Sequence, residues 1–176
     1  MLAVKQTTVS LDSVGSEALK VLVAAAALAV SARLAFALPG SPVPVTAQTL
    51  AVLLVGAMLG PRRGVLAVGV YLLCGLAGLP VFAAGGGPAY LLSPTAGYLL
   101  GFLPAAFLAG YLLDPRRPWT ALPAMLAADA VLFACGLAVL SLHLPARHLL
   151  GAGLVCFLPG ETLKIMLASI ILRVRA

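Results

Sequence analysis

Glu161 and Lys164 are the residues whose types and spacing most directly offer chemistry. They stand three apart in an apolar stretch that opens with Pro159-Gly160, and on a helix that spacing puts them on one face. Proline at the first helical position followed by an acid marks a helix start. Glu161 therefore belongs to the first turn, where the helix dipole favours negative charge, and Lys164 lies one turn further in. A charge held in hydrocarbon costs several kcal/mol, roughly 2.5–3.5 on the gentlest scale, and usually marks a site. The structural alternative is a self-satisfied ion pair. Arg33 and Asp129 raise the same question, and Asp129 either pairs with Arg33 or faces the interior of a helix bundle.

Two uncharged segments accompany the pair. Pro42-Val43-Pro44-Val45-Thr46-Ala47-Gln48 offers Thr46 and Gln48 as donors and acceptors. Loop 80–93 contains Gly85-Gly86-Gly87 and leads into Ser93-Pro94-Thr95-Ala96-Gly97-Tyr98. A glycine such as Gly86 lets backbone approach a ligand closely. Phe82, Tyr90 and Tyr98 can enclose an apolar ring, the tyrosines adding hydroxyls. Turn formation and anchoring at a membrane interface are the plainer roles for the same residues. Neutral aromatic loops beside one buried acid–base pair suit a small amphipathic ligand.

Composition says which elements must hold these residues. Of 176 residues, 62% are hydrophobic and 9% charged, against about 45–50% and 25% in soluble domains. A soluble chain this short could not hide that much apolar surface, which leaves an integral membrane protein. At about 20 residues per spanning helix, six spans use most of the chain. They are expected at 18–38, 45–59, 65–79, 94–113, 119–142 and 159–172, with 144–158 a doubtful, glycine-interrupted segment. The apolar run through residue 38 is a full span rather than a signal peptide. Residues 1–17 form a polar N-terminal segment, and 18–176 a single transmembrane domain.

The basic residues fix the expected orientation. Lys5 and Lys20, Arg62 and Arg63, Arg116 and Arg117, and Arg173 and Arg175 all fall on one side of this layout, and Arg147 alone falls in an opposite loop. Basic loops face the cytoplasm, so both termini are expected there. No basic stripe with interleaved aromatics points to nucleic acid. Cys74, Cys135 and Cys156 stand singly, as small hydrophobes do, and His143 and His148 share no helical face. Ala25, Ala29 and Ala32, Gly56 with Gly60, and Gly97 with Gly101 form small-residue stripes. Such stripes serve internal helix packing or docking of a partner membrane protein. No phosphate-binding G-x-x-x-x-G-K-[ST], H-E-x-x-H or G-x-S-x-G sequence is present, so the chain has no such ATP site and no familiar hydrolase motif.

Four motifs in order resemble the BioY family, the biotin-capturing S components of energy-coupling factor (ECF) transporters. They are Val43-Pro44-Val45-Thr46-Ala47-Gln48-Thr49, Gly78-Leu79-Pro80-Val81-Phe82, Pro94-Thr95-Ala96-Gly97-Tyr98-Leu99-Leu100-Gly101-Phe102 and Pro159-Gly160-Glu161-Thr162-Leu163-Lys164. The resemblance runs from the first span onward. It implies an all-α, six-helix membrane bundle with biotin bound near the outer face by Glu161 and Lys164. The family usually carries aspartate at the position of Glu161, so the carboxylate here is shifted by one methylene. The other expected ligand contacts are Gln48, Thr46, Phe82, Tyr90, Tyr98 and Gly86, with loop 80–93 as a lid. The resemblance also implies an alanine-rich face of the first helix, here Ala25, Ala29 and Ala32, docking on a transmembrane coupling subunit that carries two ATPases. It leaves open solitary or oligomeric action. The chain is then a transport subunit of a prokaryotic plasma membrane, not an enzyme, with no cofactor and no metal. The competing readings are an intramembrane enzyme acting on a lipid with Glu161 as acid or base, an S component for another small vitamin, and an assembly subunit without ligand.

Overall fold

The computed structural model of the chain describes residues 11–175, so Lys5 and the side chain of Arg175 lie outside the described residues. In chain order the helices are α1 (Leu11–Arg33), α2 (Gln48–Leu59), α3 (Pro61–Leu76), α4 (Ala96–Leu112), α5 (Ala121–Leu140), the short α6 (Ala146–Leu150) and α7 (Leu158–Arg175). A π-helical turn, Gly151–Val155, fills the connection between α6 and α7. Three helical stretches, Val14–Arg33, Pro118–Leu140 and Ala146–Val174, are long and apolar enough to cross a membrane, and Gln48–Leu59 and Ala96–Leu112 are shorter apolar helices. The protein is an integral membrane helix bundle.

Several boundaries differ from those read in the sequence. Helix α1 begins at Leu11, inside the segment expected to precede the bundle. Helix α3 begins at Pro61, so Arg62 and Arg63 occupy its first turn rather than a free loop. Proline lacks the N–H that would be unpaired there, and Gly60, at φ 81°, makes the corner from α2. Residues Val45–Thr46, expected to open the second span, instead form strand β2, paired antiparallel with β1 (Ala35–Phe36). The prolines at 39, 42 and 44 favour extended backbone just before them, which holds this hairpin over the start of α2.

Helix α4 is the axis of the bundle and packs on α2, α3 and α5. A side chain at Gly56 would strike the backbone of Ala106, and one at Gly97 or Gly101 would press on α5 at Cys135. These glycine stripes are internal packing surfaces. The alanine stripe of α1 is a correction of the same kind. Ala25 and Ala32 are buried inside this chain, so those two are not free to meet a partner, and Ala29 packs half-buried against its core. The outward ridge of α1 carries Leu19, Leu22, Val23, Ala26 and Val30.

The two ends of the bundle differ in charge. At one end α1 brings Glu17 to Lys20 (2.8 Å) and to Arg63, while Asp114 and Arg117 pair at 3.6 Å in the turn between α4 and α5. The opposite end gathers the β1–β2 hairpin, loop 80–93 and the π turn. Arg33 closes α1 at this end, exposed, and donates to the carbonyl of Pro80. The pairing of Arg33 with Asp129 considered from the sequence therefore does not form.

Candidate functional site

A cavity opens at the second end, where α2, α4 and α7 begin and α5 finishes. Its interior is narrow, about 60 Å³, below the roughly 300–1,000 Å³ of sites that enclose a small molecule, so the walls must part to admit one. Helix α7 supplies its acid. Glu161 lies in the first turn, its N–H bonded to the carbonyl of Phe157 at 2.9 Å, and its side chain is buried at 3% exposure on the cavity wall. Lys164, one turn further along α7, lies behind Glu161 rather than on the wall. Its Nζ donates to Glu161 Oε1 and to the carbonyl of Thr46, both at 2.6 Å. The lysine thereby ties α7 to the strand that precedes α2. Thr49 adds its hydroxyl to the same carboxylate oxygen at 3.5 Å. Glu161 Oε2 is buried without a hydrogen-bond partner.

Two groups of aromatic rings face each other across the cavity. In one, the ring of Phe82 lies 5.5 Å from Tyr71 and 4.7 Å from Tyr90. In the other, Tyr98, Phe133 and Phe157 contact one another at 5.7–6.3 Å. Absent side chains make room for both groups, because Phe82 lies on Gly75 and Tyr98 on Gly136. The polar ends of the rings are used. Gln48 Nε2 donates to Tyr71 Oη at 2.5 Å, Tyr98 Oη donates to the carbonyl of Gly153 at 2.6 Å, and the N–H of Ala84 donates to Tyr90 Oη at 2.8 Å. Bonds of this kind fix ring orientation while leaving the faces apolar.

Of the residues expected at the site, Glu161, Gln48, Thr46, Phe82, Tyr90 and Tyr98 line this cavity, and Lys164 supports it from behind. Gly86 does not. Its missing side chain lets the loop lie against the backbone of Leu79 and Gly75 at the end of α3, so the close approach is to the protein's own chain. Thr49, Tyr71, Phe133 and Phe157 were not singled out from the sequence. Tyr71 carried a usable signal, since a hydroxyl inside an apolar helix needs a partner. Phe133 and Phe157 carried none, being apolar residues in apolar runs. Asp129 sits on α5, buried, with Oδ1 unpartnered, and within electrostatic reach of Glu161 and Lys164. It faces the bundle interior.

The lining suits a compact molecule with a flat, partly apolar body and hydrogen-bond donors directed at a carboxylate, admitted once the walls part. Among the described residues no group of three or more His, Cys, Asp and Glu side chains is placed to hold a metal ion.

The sequence profile of the BioY family matches residues 5–176. A protein of Rhizobium etli described as biotin transporter BioY is 37% identical over 142 residues, covering 74% of this chain and 76% of its own. One of Thermotoga maritima with the same description is 36% identical over 137 residues, covering 76% of this chain and 81% of its own. In three dimensions the chain is similar to a crystal structure of the S component for biotin from an ECF-type ABC transporter. The TM-score is 0.83 at 27% identity, over 93% of this chain and 92% of that one. The chain belongs to the BioY family.

Proposed function

We propose that this chain is the biotin-capturing S component of an ECF-type importer, binding the vitamin in the cavity lined by Glu161. The observation that carries the reading is a carboxylate oxygen, Glu161 Oε2, buried and unpartnered between two aromatic groups. Biotin has a ureido ring with two N–H donors, a thioether ring, and a tail ending in a carboxylate. A carboxylate side chain only accepts hydrogen bonds, so Glu161 matches the ureido N–H groups and repels the tail. The bicyclic body then lies between the Phe82 and Tyr98 groups, with Gln48 and Thr46 adding polar contacts. The names of the relatives support biotin over other small vitamins.

Lys20, Arg62, Arg63, Arg116, Arg117 and Arg173 would face the cytoplasm by the positive-inside preference, with the cavity open to the outer side of the plasma membrane and loop 80–93 as its lid. The chain works as a transport subunit rather than an enzyme and needs no resident cofactor. Energy for inward release comes from a transmembrane coupling subunit and two ATPases, since a ligand shifts a conformational equilibrium only by its differential affinity. The exposed ridge of α1 is the surface offered to that subunit.

The experiment is a melting curve of the purified chain with and without ligand. Biotin at about 100 times its Kd should stabilise the fold by about 2.7 kcal/mol, while riboflavin and thiamine should leave it unchanged. A sample stabilised by another vitamin, or by none, contradicts the assignment. Turnover of a lipid by the isolated chain would favour the enzyme reading.

A further inference from the structure

The cavity leaves one buried charge without a role. Asp129 is 8% exposed and its Oδ1 has no hydrogen-bond partner. It is not on the cavity wall, but Leu132 and Phe133, three and four residues further along α5, are. Residues three and four apart share a helix face, so Asp129 faces the same way one turn deeper. Helix α5 runs toward the cavity end and α7 away from it, and the two pack together. Lys164, three residues past Glu161, is therefore also one turn deeper. By this register both Asp129 and Lys164 belong to the turn beneath the cavity, and Asp129 lies within electrostatic reach of both Lys164 and Glu161.

Lys164 is paired with Glu161 and not with Asp129, and each carboxylate keeps an unpartnered oxygen, Asp129 Oδ1 and Glu161 Oε2. An ammonium has three donors, and two of those on Lys164 are engaged, by Thr46 and Glu161. Burying a carboxylate without compensation is costly, so the position of this ammonium decides which carboxylate can turn to other work. We infer that Asp129 is a positioning residue for ligand binding, the alternate seat for the Lys164 ammonium when ligand donors take over Glu161. Glu161 can then commit both oxygens to the ligand while Lys164 stays compensated and Thr46 keeps its bond. Asp129 itself does not touch the ligand. The inference rests on the reading of the cavity as the biotin site.

The test is a double-mutant cycle read by biotin titration, with unliganded melting temperature measured alongside. Asp129→Asn should weaken biotin binding about tenfold in the native background and less than about twofold in the Lys164→Gln background. The unliganded melting temperature should hold or rise, because a buried charge has been removed. Asp129→Glu, which keeps the charge, should bind within about threefold of wild type. The inference is overturned by near-wild-type binding of Asp129→Asn, by equal losses in both backgrounds, or by an affinity loss that tracks falling unliganded stability. If Asp129→Asn does not fold, a tenfold loss of biotin affinity in a folded Asp129→Glu overturns it instead. Glu161→Gln separates the two claims, since unchanged affinity there removes the cavity reading whatever Asp129 does. Failure of the wild-type chain to bind biotin overturns both.

Discussion

The two ends of the bundle use charge in opposite ways. At the end bearing Arg62, Arg63, Arg116 and Arg117, the ion pairs are exposed, with Arg117 and Asp114 at 66% and 44% side-chain exposure. Pairs of that kind contribute at most about 1 kcal/mol, so these residues matter by number and location. At the other end the pair Lys164–Glu161 is at 14% and 4%, with a carboxylate oxygen left unpaired and two aromatic groups around it. Burial makes that pair expensive to disturb and sensitive to whatever occupies the cavity. The comparison teaches that in a chain with few charges, exposure separates those that orient the protein from those that recognise a ligand.

Removing the buried cation should break this comparison most severely. Lys164→Gln leaves Glu161 buried without its ammonium and unties α7 from Thr46. Loss of one partner of a buried pair costs about 3–5 kcal/mol of stability, and a buried carboxyl that escapes this by taking up a proton no longer accepts at both oxygens, so biotin binding should weaken by about 100-fold. Titration of the variant checks this, and a loss of only a few fold would place Glu161 in wetter surroundings than described. A smaller effect is expected from the ring wall. Phe133→Ala removes contacts to Tyr98 and Phe157 and should destabilise the protein by about 3 kcal/mol, weakening biotin binding by roughly tenfold. Denaturation in detergent and ligand titration of the same sample separate the two effects. The smallest effect belongs to the basic end. Arg117→Ala should change stability by no more than about 1 kcal/mol and leave affinity within about twofold. A larger change in affinity would mean the ends are not independent.

How much of this was legible in the sequence follows from contrast. Glu161 and Lys164 stood out because charges are rare against so apolar a background, and Pro159-Gly160 fixed their place in the first turns of α7. The aromatic loop residues Phe82, Tyr90 and Tyr98 were visible beside glycine and proline. Phe133 was not, because a helix apolar on every side gives no periodic sign of which face is interior, and Phe157 was not, being one apolar residue of an apolar run in the turn before α7. The same lack of contrast left Ala25, Ala29 and Ala32 readable as either an inner or an outer stripe, and the packing of α1 on α2 and α3 decided for the inner one. Contacts between distant segments were also out of reach. Arg33 meets the carbonyl of Pro80, and Gly86 packs on Leu79 and Gly75, because of how loop 80–93 folds back. The hairpin of Ala35–Phe36 with Val45–Thr46 rests on two residues per strand, too short a run to leave a period.

The central claim is that the cavity built around Glu161 is where this protein holds biotin. Titration calorimetry of the purified chain, run in parallel on wild type and Glu161→Gln, tests it most directly. The account predicts a saturable heat with wild type at one biotin per chain, and affinity reduced by about 100-fold in the variant, whose amide can no longer offer two accepting oxygens. A folded wild-type sample that gives no heat with biotin, or a variant that binds as tightly as wild type, would contradict it.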